Sequence, residues 1–214
     1  MKNMKKILTV ACAMALSAAI AVGGTLAYLT SQDQVVNTFT VGQVAIKLDE
    51  AKANPDGTLV DNADRVKANS YKLLPGHTYA KDPMVTVLKG SESSYIKMTV
   101  TFSNAAELDA IFADKGGADM TSIFNGYESS NWIYKGNTKA DAAHTRTYEF
   151  WYKETVAALD NDVALDALFD SITVPGFITN NQLKSIEGMT ITVNAYAIQA
   201  DGFDSAADAW AAWA

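Results

Sequence analysis

The stretch SYIKMTVTF, residues 94–102, alternates apolar and polar side chains throughout its length. Alternation with a period of two predicts a β-strand that has one face in the protein core and the other in water. The apolar members of this alternation are Ile96, Met98, Val100 and Phe102. We therefore expect this strand to be a central element of the fold.

Similar patterns predict further strands at residues 38–48, 132–134, 146–152, 172–174 and 189–199, the first with a bulge at Gly42–Gln43. Pro83 cannot donate a backbone hydrogen bond, so the apolar residues that follow it indicate either an edge strand or a strand that begins there. Asn54–Gly57 and Leu74–Gly76 contain the proline and glycine typical of turns. The polar residues 51–70 are predicted to form a loop.

Helices are expected in the connections. The first follows Asn104 as its cap and stops at Gly116–Gly117, and the second covers residues 163–169. The third follows Asp204 as its cap, with Trp210 and Trp213 on one face. About seven or eight strands, without the alternation of strands and helices that marks a parallel sheet, predict a mainly β fold. We expect an antiparallel two-sheet sandwich with short helical insertions and a C-terminal helix.

The N-terminal residues have the layout of a secretory signal peptide. Three lysines precede an apolar run at residues 7–22, and small residues lead to Ala27. The run is shorter than the roughly 20 residues that span a bilayer, so we interpret it as a cleaved signal with cleavage between Ala27 and Tyr28. The chain then divides into a signal peptide (1–27), an extended N-terminal arm (28–37) and a β-sandwich domain (38–214). Cys12 is the one cysteine of the chain, so the mature protein would contain no disulfide.

The chain is acidic, with a formal net charge of −7. Removal of residues 1–27 would take away three lysines and no acidic residue, which leaves a net charge of −10. Nucleic acids and anionic lipid surfaces are bound by an excess of lysine and arginine. We therefore expect no nucleic-acid partner and no membrane contact after cleavage, whereas calcium or a cationic polymer would suit the charge.

The sequence contains none of the common catalytic motifs of metallopeptidases, serine hydrolases or nucleotide-binding enzymes. His77 and His144 have no partner at metal-ligand spacing. Asp160–Asp162 and Asp201–Asp204 resemble fragments of calcium loops but lack the full pattern. We expect no catalytic residue, no metal site and no cofactor, with calcium at these turns as the alternative.

An aromatic group could form a platform for carbohydrate, although half of its members should point into the core if they alternate along strands. The group consists of Trp132, Tyr134, Tyr148, Phe150, Trp151 and Tyr152.

The run GGTLAYLTSQDQVVNTFTVG, residues 23–42, resembles the N-terminal region of exported proteins of Gram-positive bacteria that are processed by a SipW-type signal peptidase, the TasA and camelysin-like family. The matching positions are Gly23, Gly24, Thr25, Leu26, Ala27, Tyr28, Asn37, Thr38, Phe39 and Gly42. The Leu-Pro-Gly turn at residues 74–76 and the last residues of the chain are also similar.

The resemblance implies secretion, a jelly-roll-like sandwich and a location in the extracellular matrix or at the cell surface. It also implies fibre formation between copies of the chain, by donation of the N-terminal arm to the sheet of a neighbour. The arm residues are Tyr28, Leu29, Val35, Val36 and Asn37. The expected function is a secreted structural subunit of biofilm fibres. The alternatives are an adhesin that binds a cell-wall polymer or glycan and, because camelysins are classed as metallopeptidases, a secreted metallopeptidase.

Overall fold

A computed structural model describes residues 41–113 and 123–213 of the chain. Within these residues the protein is mainly β. The strands are β1 (Ile46–Asp49), β2 (Thr78–Ala80), β3 (Met84–Val87), β4 (Ser91–Phe102), β5 (Phe124–Asn125), β6 (Trp132–Ala140), β7 (Thr145–Tyr152), β8 (Val156–Ala158), β9 (Val163–Ala164), β10 (Ser171–Thr173) and β11 (Ile191–Gln199). The helices are α1 (Ala105–Ala113), α2 (Asn180–Ser185) and α3 (Ala206–Ala212).

The strands form three sheets, in which all neighbouring strands are antiparallel. The largest has the order β11-β4-β7-β6, with β8 also paired to β4. The two smaller sheets have the orders β1-β3-β9 and β2-β10-β5. The prediction of a mainly β, antiparallel fold is therefore confirmed.

Strand β4 lies inside the largest sheet, between β11 on one side and β7 with β8 on the other. The four apolar residues that predicted it are all fully buried, which confirms the strand. It begins earlier than predicted, at Ser91, whose hydroxyl oxygen accepts a hydrogen bond from the Ala45 amide at 3.0 Å. The hydroxyl of Ser94 donates to the carbonyl of Val156 at 3.2 Å. Both buried serines are thus satisfied by neighbouring backbone.

One apolar cluster contains side chains from all three sheets and from α1. Phe124 of β5 stacks on Phe169, with ring centroids 4.5 Å apart, and meets Tyr148 of β7 edge-on at 6.0 Å. Fully burying a large apolar side chain contributes about 1.5–3 kcal/mol. The cluster therefore holds the three sheets together.

The first strand is shorter than predicted. Residues 38–40 lie outside the described part of the chain, and β1 begins only at Ile46. Before it, Gln43 forms a single parallel bridge to Ser91 of β4. The chain then changes partner and pairs with β3. The predicted bulge at Gly42–Gln43 lies close to this change of partner.

The predicted helix at residues 163–169 is wrong. Val163 and Ala164 pair with β3 as strand β9. Two backbone amides that follow them also bond to β3 or to the proline before it. The Leu165 amide donates to the carbonyl of Val85 at 2.9 Å, and the Leu168 amide donates to that of Pro83 at 3.0 Å. These long-range bonds and the burial of the leucines outweigh a weak local helical pattern.

The structure defines the start of β3 and corrects the cap of the last helix. Strand β3 starts directly after Pro83 and lies between β1 and β9, so the proline marks the start of a strand and not an edge. The last helix is capped by Ser205 instead of Asp204, because the Ser205 hydroxyl oxygen accepts the Asp208 amide at 3.2 Å.

Helix α1 is present where predicted, with Leu108, Ile111 and Phe112 buried. Asn104 precedes it with a φ of 54°, and its carbonyl accepts the Leu108 amide at 3.0 Å. The predicted stop at Gly116–Gly117 lies outside the described residues.

The predicted turn at Asn54–Gly57 is confirmed, since the Gly57 amide donates to the carbonyl of Asn54 at 2.9 Å. Gly57 has a φ of +90°, and a β-carbon there would lie 2.7 Å from the carbonyl oxygen of Thr78 and 2.7 Å from Cα of Tyr79. Glycine is thus required twice, by the backbone conformation and by the close approach of β2.

We expect Gly57→Ala to destabilise the protein more than Gly202→Ala. Gly202 has the same φ of +90° but no atom within 4 Å of the added carbon. Both replacements impose strain of about 1 kcal/mol, and only Gly57→Ala also forces the backbone of β2 aside, at a further cost of about 1–3 kcal/mol. Urea denaturation of both variants measures the difference. Equal losses would show that the approach of β2 leaves room for a methyl group.

Candidate functional site

A groove of about 930 Å³ lies between the first and last strands of the described chain. One wall is formed by the end of β1 and residues 66–73, and the other by α2 and the start of β11. We call it the β1–β11 groove. Its apolar surface includes Leu48, Leu73, Ile186, Met189, Ile191 and Val193.

Strands β1 and β11 are each the terminal strand of their sheet. Strand β11 pairs with β4 over nine consecutive residues without a register shift, and its sequence ITVNAYAIQ contains no charged residue. The opposite edge strand, β6, carries Lys135 and Lys139 and has a register shift between Tyr134 and Gly136. Lysines and bulges protect sheet edges from pairing with other chains. The edge beside the groove is therefore the less protected of the two.

Helix α2 is positioned by a capping box. The hydroxyl oxygen of Thr179 accepts the Gln182 amide at 3.3 Å, and the Gln182 side chain accepts the Thr179 amide at 2.9 Å. This arrangement provides hydrogen-bond acceptors for backbone amides at the start of a short helix. It places Leu183 and Ile186 on the wall of the groove.

Arg65 joins the loop at residues 51–70 to the end of β1 and to the segment before β3. Its Nε donates to Oδ1 of Asp49 at 2.6 Å, and its Nη1 donates to Oδ2 of Asp82 at 2.8 Å. Its Nη2 donates to the backbone carbonyls of the same two residues, at 3.2 and 2.8 Å. One guanidinium thus joins the end of β1 to the segment before β3.

A second ion pair is almost completely buried at the groove wall. Nζ of Lys81 lies 2.5 Å from Oε2 of Glu50, and each side chain is 8% exposed. The other carboxylate oxygen, Oε1, accepts a hydrogen bond from Nδ2 of Asn69 at 2.9 Å. One carboxylate therefore bridges an ammonium group and a side-chain amide.

The wall shifts two pKa values. Burial alone would raise the pKa of Asp49, but hydrogen bonds from Lys47 and Arg65 outweigh it and hold the pKa below its ordinary value. Burial, followed by the negative charge of Glu50, raises the pKa of Tyr71 well above its ordinary value. The Tyr71 hydroxyl donates to the carbonyl of Ala80 at 2.6 Å. Tyr71 is therefore a neutral hydrogen-bond donor at physiological pH.

The charged residues of this wall were not predicted from the sequence, although the alternation of inward and outward positions indicates two of them. Val85 and Val87 are apolar at alternate positions, and the same alternation extended backward places Lys81 inward, where the structure buries it. Glu50 continues the alternation of Ile46 and Leu48 in the same way. Two opposite charges at inward positions indicate a buried pair.

The aromatic group does not form one platform. Trp132, Tyr148 and Phe150 are buried in the core, as expected for half of an alternating set. Trp151 instead contacts the last helix, with its ring centroid 6.4 Å from that of Trp210. Lys135 lies over the Trp151 ring at 4.3 Å. Tyr134 and Tyr152 are half-buried.

The residues considered as metal ligands lie apart. His77 and His144 are both exposed, the former 6.5 Å from the Tyr79 ring. Oδ1 of Asp162 accepts the Lys89 amide at 2.8 Å, so it acts in a turn. Within residues 41–113 and 123–213, no three His, Cys, Asp or Glu side chains are grouped in a way that could hold a metal ion.

The predicted cleavage site at Ala27 and Tyr28 lies outside the described residues, as do the arm residues Leu29, Val35, Val36 and Asn37. In the part of the chain that is described, no helix has the length and apolar character needed to cross a membrane.

Comparison with known proteins yields no relative. No protein-family model matches the chain, and no curated protein or solved structure is significantly similar to it.

We expect Arg65→Met to lower the free energy of unfolding by about 2–3 kcal/mol, because it leaves the carboxylate of Asp49 buried with only Lys47 as an ionic partner. Lys67→Met is the matched control. Lys67 is an exposed neighbour that donates a hydrogen bond to the carbonyl of Leu48, and its replacement should change the stability by less than about 0.5 kcal/mol. Chemical denaturation of both variants at neutral pH gives the two values.

The same variant tests the pH dependence. The folded pKa of Asp49 is lowered, so its contribution to stability is present above the ordinary value of 3.8 and is lost as the pH falls through the folded pKa. Arg65→Met should therefore reduce the loss of stability below about pH 4. A loss on acidification identical to that of the wild type would contradict this role of Arg65.

Proposed function

We propose that this chain is an exported structural subunit that assembles with copies of itself, as in extracellular matrix or biofilm fibres or at the cell surface. The observation that carries the proposal is the β1–β11 groove, which combines an apolar surface and a polar wall beside a long strand edge without charges. Addition of an extended segment to an open sheet edge is a recurrent way in which proteins bind one another. The backbone supplies the hydrogen bonds, and an apolar recess supplies pockets for alternate side chains.

In this proposal the added segment is the N-terminal arm, residues 28–37, of another copy. Val35 and Val36 are β-branched residues that favour strands. The described chain starts at Val41, which is 96% exposed, and the next residue, Gly42, lies beside Glu92 at the beginning of β4. The groove lies beside Ile191 and Val193, which pair with the opposite end of β4. The eight to ten residues of β4 between these two places span about 26–34 Å. We propose that the arm uses the groove of a neighbouring copy, and the assembly measurements below distinguish this from binding within one copy.

The architecture that we propose with this function is a jelly-roll-like sandwich of two layers. The five-stranded sheet would form one layer, and the two three-stranded sheets would form the other. The apolar cluster shared by all three sheets supports this arrangement.

Export would begin with a SipW-type signal peptidase that cleaves between Ala27 and Tyr28. The basic start, apolar run and small-residue exit of residues 1–27 support this step.

Deletion of the arm tests the assembly. The mature chain that starts at Tyr28 should form oligomers or fibres, whereas a chain that starts at Thr38 should remain monomeric because it lacks the added strand. Light scattering across a range of concentrations and electron microscopy compare the two. A Tyr28 chain that stays monomeric at every concentration would overturn the proposal, and equal assembly of both chains would remove the arm from it.

A charge in the groove should have the same effect as the deletion. We expect Val193→Lys to reduce assembly at least tenfold, because the ammonium group would be buried by the incoming strand. Thr138→Lys on the exposed edge strand β6 is the matched control and should assemble as the wild type does. Thermal denaturation of the monomers verifies that the lysine in β11 leaves the domain folded. A folded Val193→Lys variant that assembles normally would show that the groove is not the acceptor.

A further inference from the structure

The carboxylate of Glu50 holds two groups that can react with each other. On one oxygen it contacts the amine nitrogen of Lys81, and on the other it contacts the side-chain amide of Asn69. As whole residues, including the backbone, Glu50 and Lys81 are 6% and 7% exposed. An amine, an amide and a carboxylate that can move protons between them are the components of an amide exchange reaction.

The amide of Asn69 is fixed by two further hydrogen bonds. Its Oδ1 accepts a hydrogen bond from the Ala53 amide at 2.9 Å. Its Nδ2 donates to the carbonyl of Ala51 at 2.8 Å as well as to Glu50. A backbone N–H on a carbonyl oxygen stabilises the negative charge that develops there during nucleophilic attack. The Ala53 N–H thus polarises the carbonyl of the Asn69 amide, and the amide nitrogen contacts the carboxyl group of Glu50, which could deliver a proton to it.

We propose that Nζ of Lys81 and Cγ of Asn69 become joined by an intramolecular amide bond, with Glu50 as the group that transfers the protons. The bond would tie the loop at residues 51–70 to the segment between β2 and β3. This inference does not depend on the proposed function, since it requires neither export nor assembly.

The reaction balances without any further reagent. Glu50 takes one proton from the Lys81 ammonium group, with which it is in contact, and leaves a neutral amine. The neutral amine attacks Cγ of Asn69, and the carbonyl electron pair moves to Oδ1, facing the Ala53 N–H. Glu50 then passes protons from the attacking nitrogen to Nδ2, the Cγ–Nδ2 bond breaks, and the carbonyl forms again. The products are a secondary amide and an ammonium ion, and Glu50 ends as the carboxylate it was at the start.

Such a bond would serve a protein that cannot form disulfides. The one cysteine, Cys12, lies within the predicted signal peptide. A covalent link between two points of the chain stabilises the folded state mainly by restricting the unfolded chain. The link would secure the wall of the β1–β11 groove that is otherwise held by Arg65 and the Glu50–Lys81 pair.

The test is the mass of the purified wild-type protein under denaturing conditions. We expect a mass lower than that of the sequence by one ammonia molecule. After trypsin digestion, peptide 68–72 should be recovered joined to peptide 73–89, with no cleavage at Lys81. Fragmentation of the joined species distinguishes it from a linear peptide that was not cleaved at Lys72. Wild-type protein at the full sequence mass would overturn the proposal, and this result does not require any variant to fold.

Three variants identify the source of a mass loss. Lys81→Met and Glu50→Gln should both restore the full mass, because the first removes the nucleophile and the second removes the proton carrier. Lys67→Met should keep the loss, as a control for a nearby lysine that contacts neither group. Cyclisation of Asn69 onto the backbone of Ser70 would also release ammonia, but it does not need a lysine. A mass loss that persists in Lys81→Met would therefore overturn the proposal.

Discussion

The fold depends on the double pairing of β4. This strand is hydrogen-bonded along both sides, by β11 on one and by β7 and β8 on the other, and its apolar face is completely buried. Burial of that face excludes a register slip of one residue, because such a slip would place Lys97 and Thr99 in the core. The register of β11 and β7 follows from it. The position of β11 at the edge of the largest sheet is therefore a consequence of where β4 lies.

The polar wall of the groove is the second constraint, and it is a costly one. A chain that only needed stability could place apolar residues at the positions of Glu50 and Lys81, since replacing a buried ion pair by well-packed apolar groups is often neutral or favourable. Instead, Glu50, Lys81 and Asn69 form a connected network in which each polar group meets a partner. A network of this kind specifies one arrangement of the loop at residues 51–70. Its three side chains are also those of the proposed amide bond between Lys81 and Asn69.

The sequence predicted the elements whose signal is local and failed where the signal is distant. The alternation in residues 94–102, the turn at Asn54–Gly57 and the start of α1 all arise from neighbouring residues, and all three are present. Residues 163–169 were predicted as a helix from a local pattern, and the prediction is wrong because the amides of Leu165 and Leu168 bond to Val85 and Pro83, far away in the sequence. The candidate site was largely missed for the same reason. Its polar residues come from three separate segments, although the inward positions of Glu50 and Lys81 could have been read from alternation.

The two edges of the largest sheet differ in a way that packing alone does not require. Strand β6 is paired with β7 across a register shift and carries two lysines, whereas β11 is regular and uncharged over its whole length. An exposed regular edge without charge invites pairing with other chains, and proteins that must remain separate usually interrupt it. Of these two edges, only that of β6 carries lysines and a register shift. The edge of β11 lies beside a groove that has apolar residues on its surface and a wall fixed by ion pairs. An open edge, an apolar recess and a rigid wall together favour a binding surface for an extended chain over an unfinished part of the core.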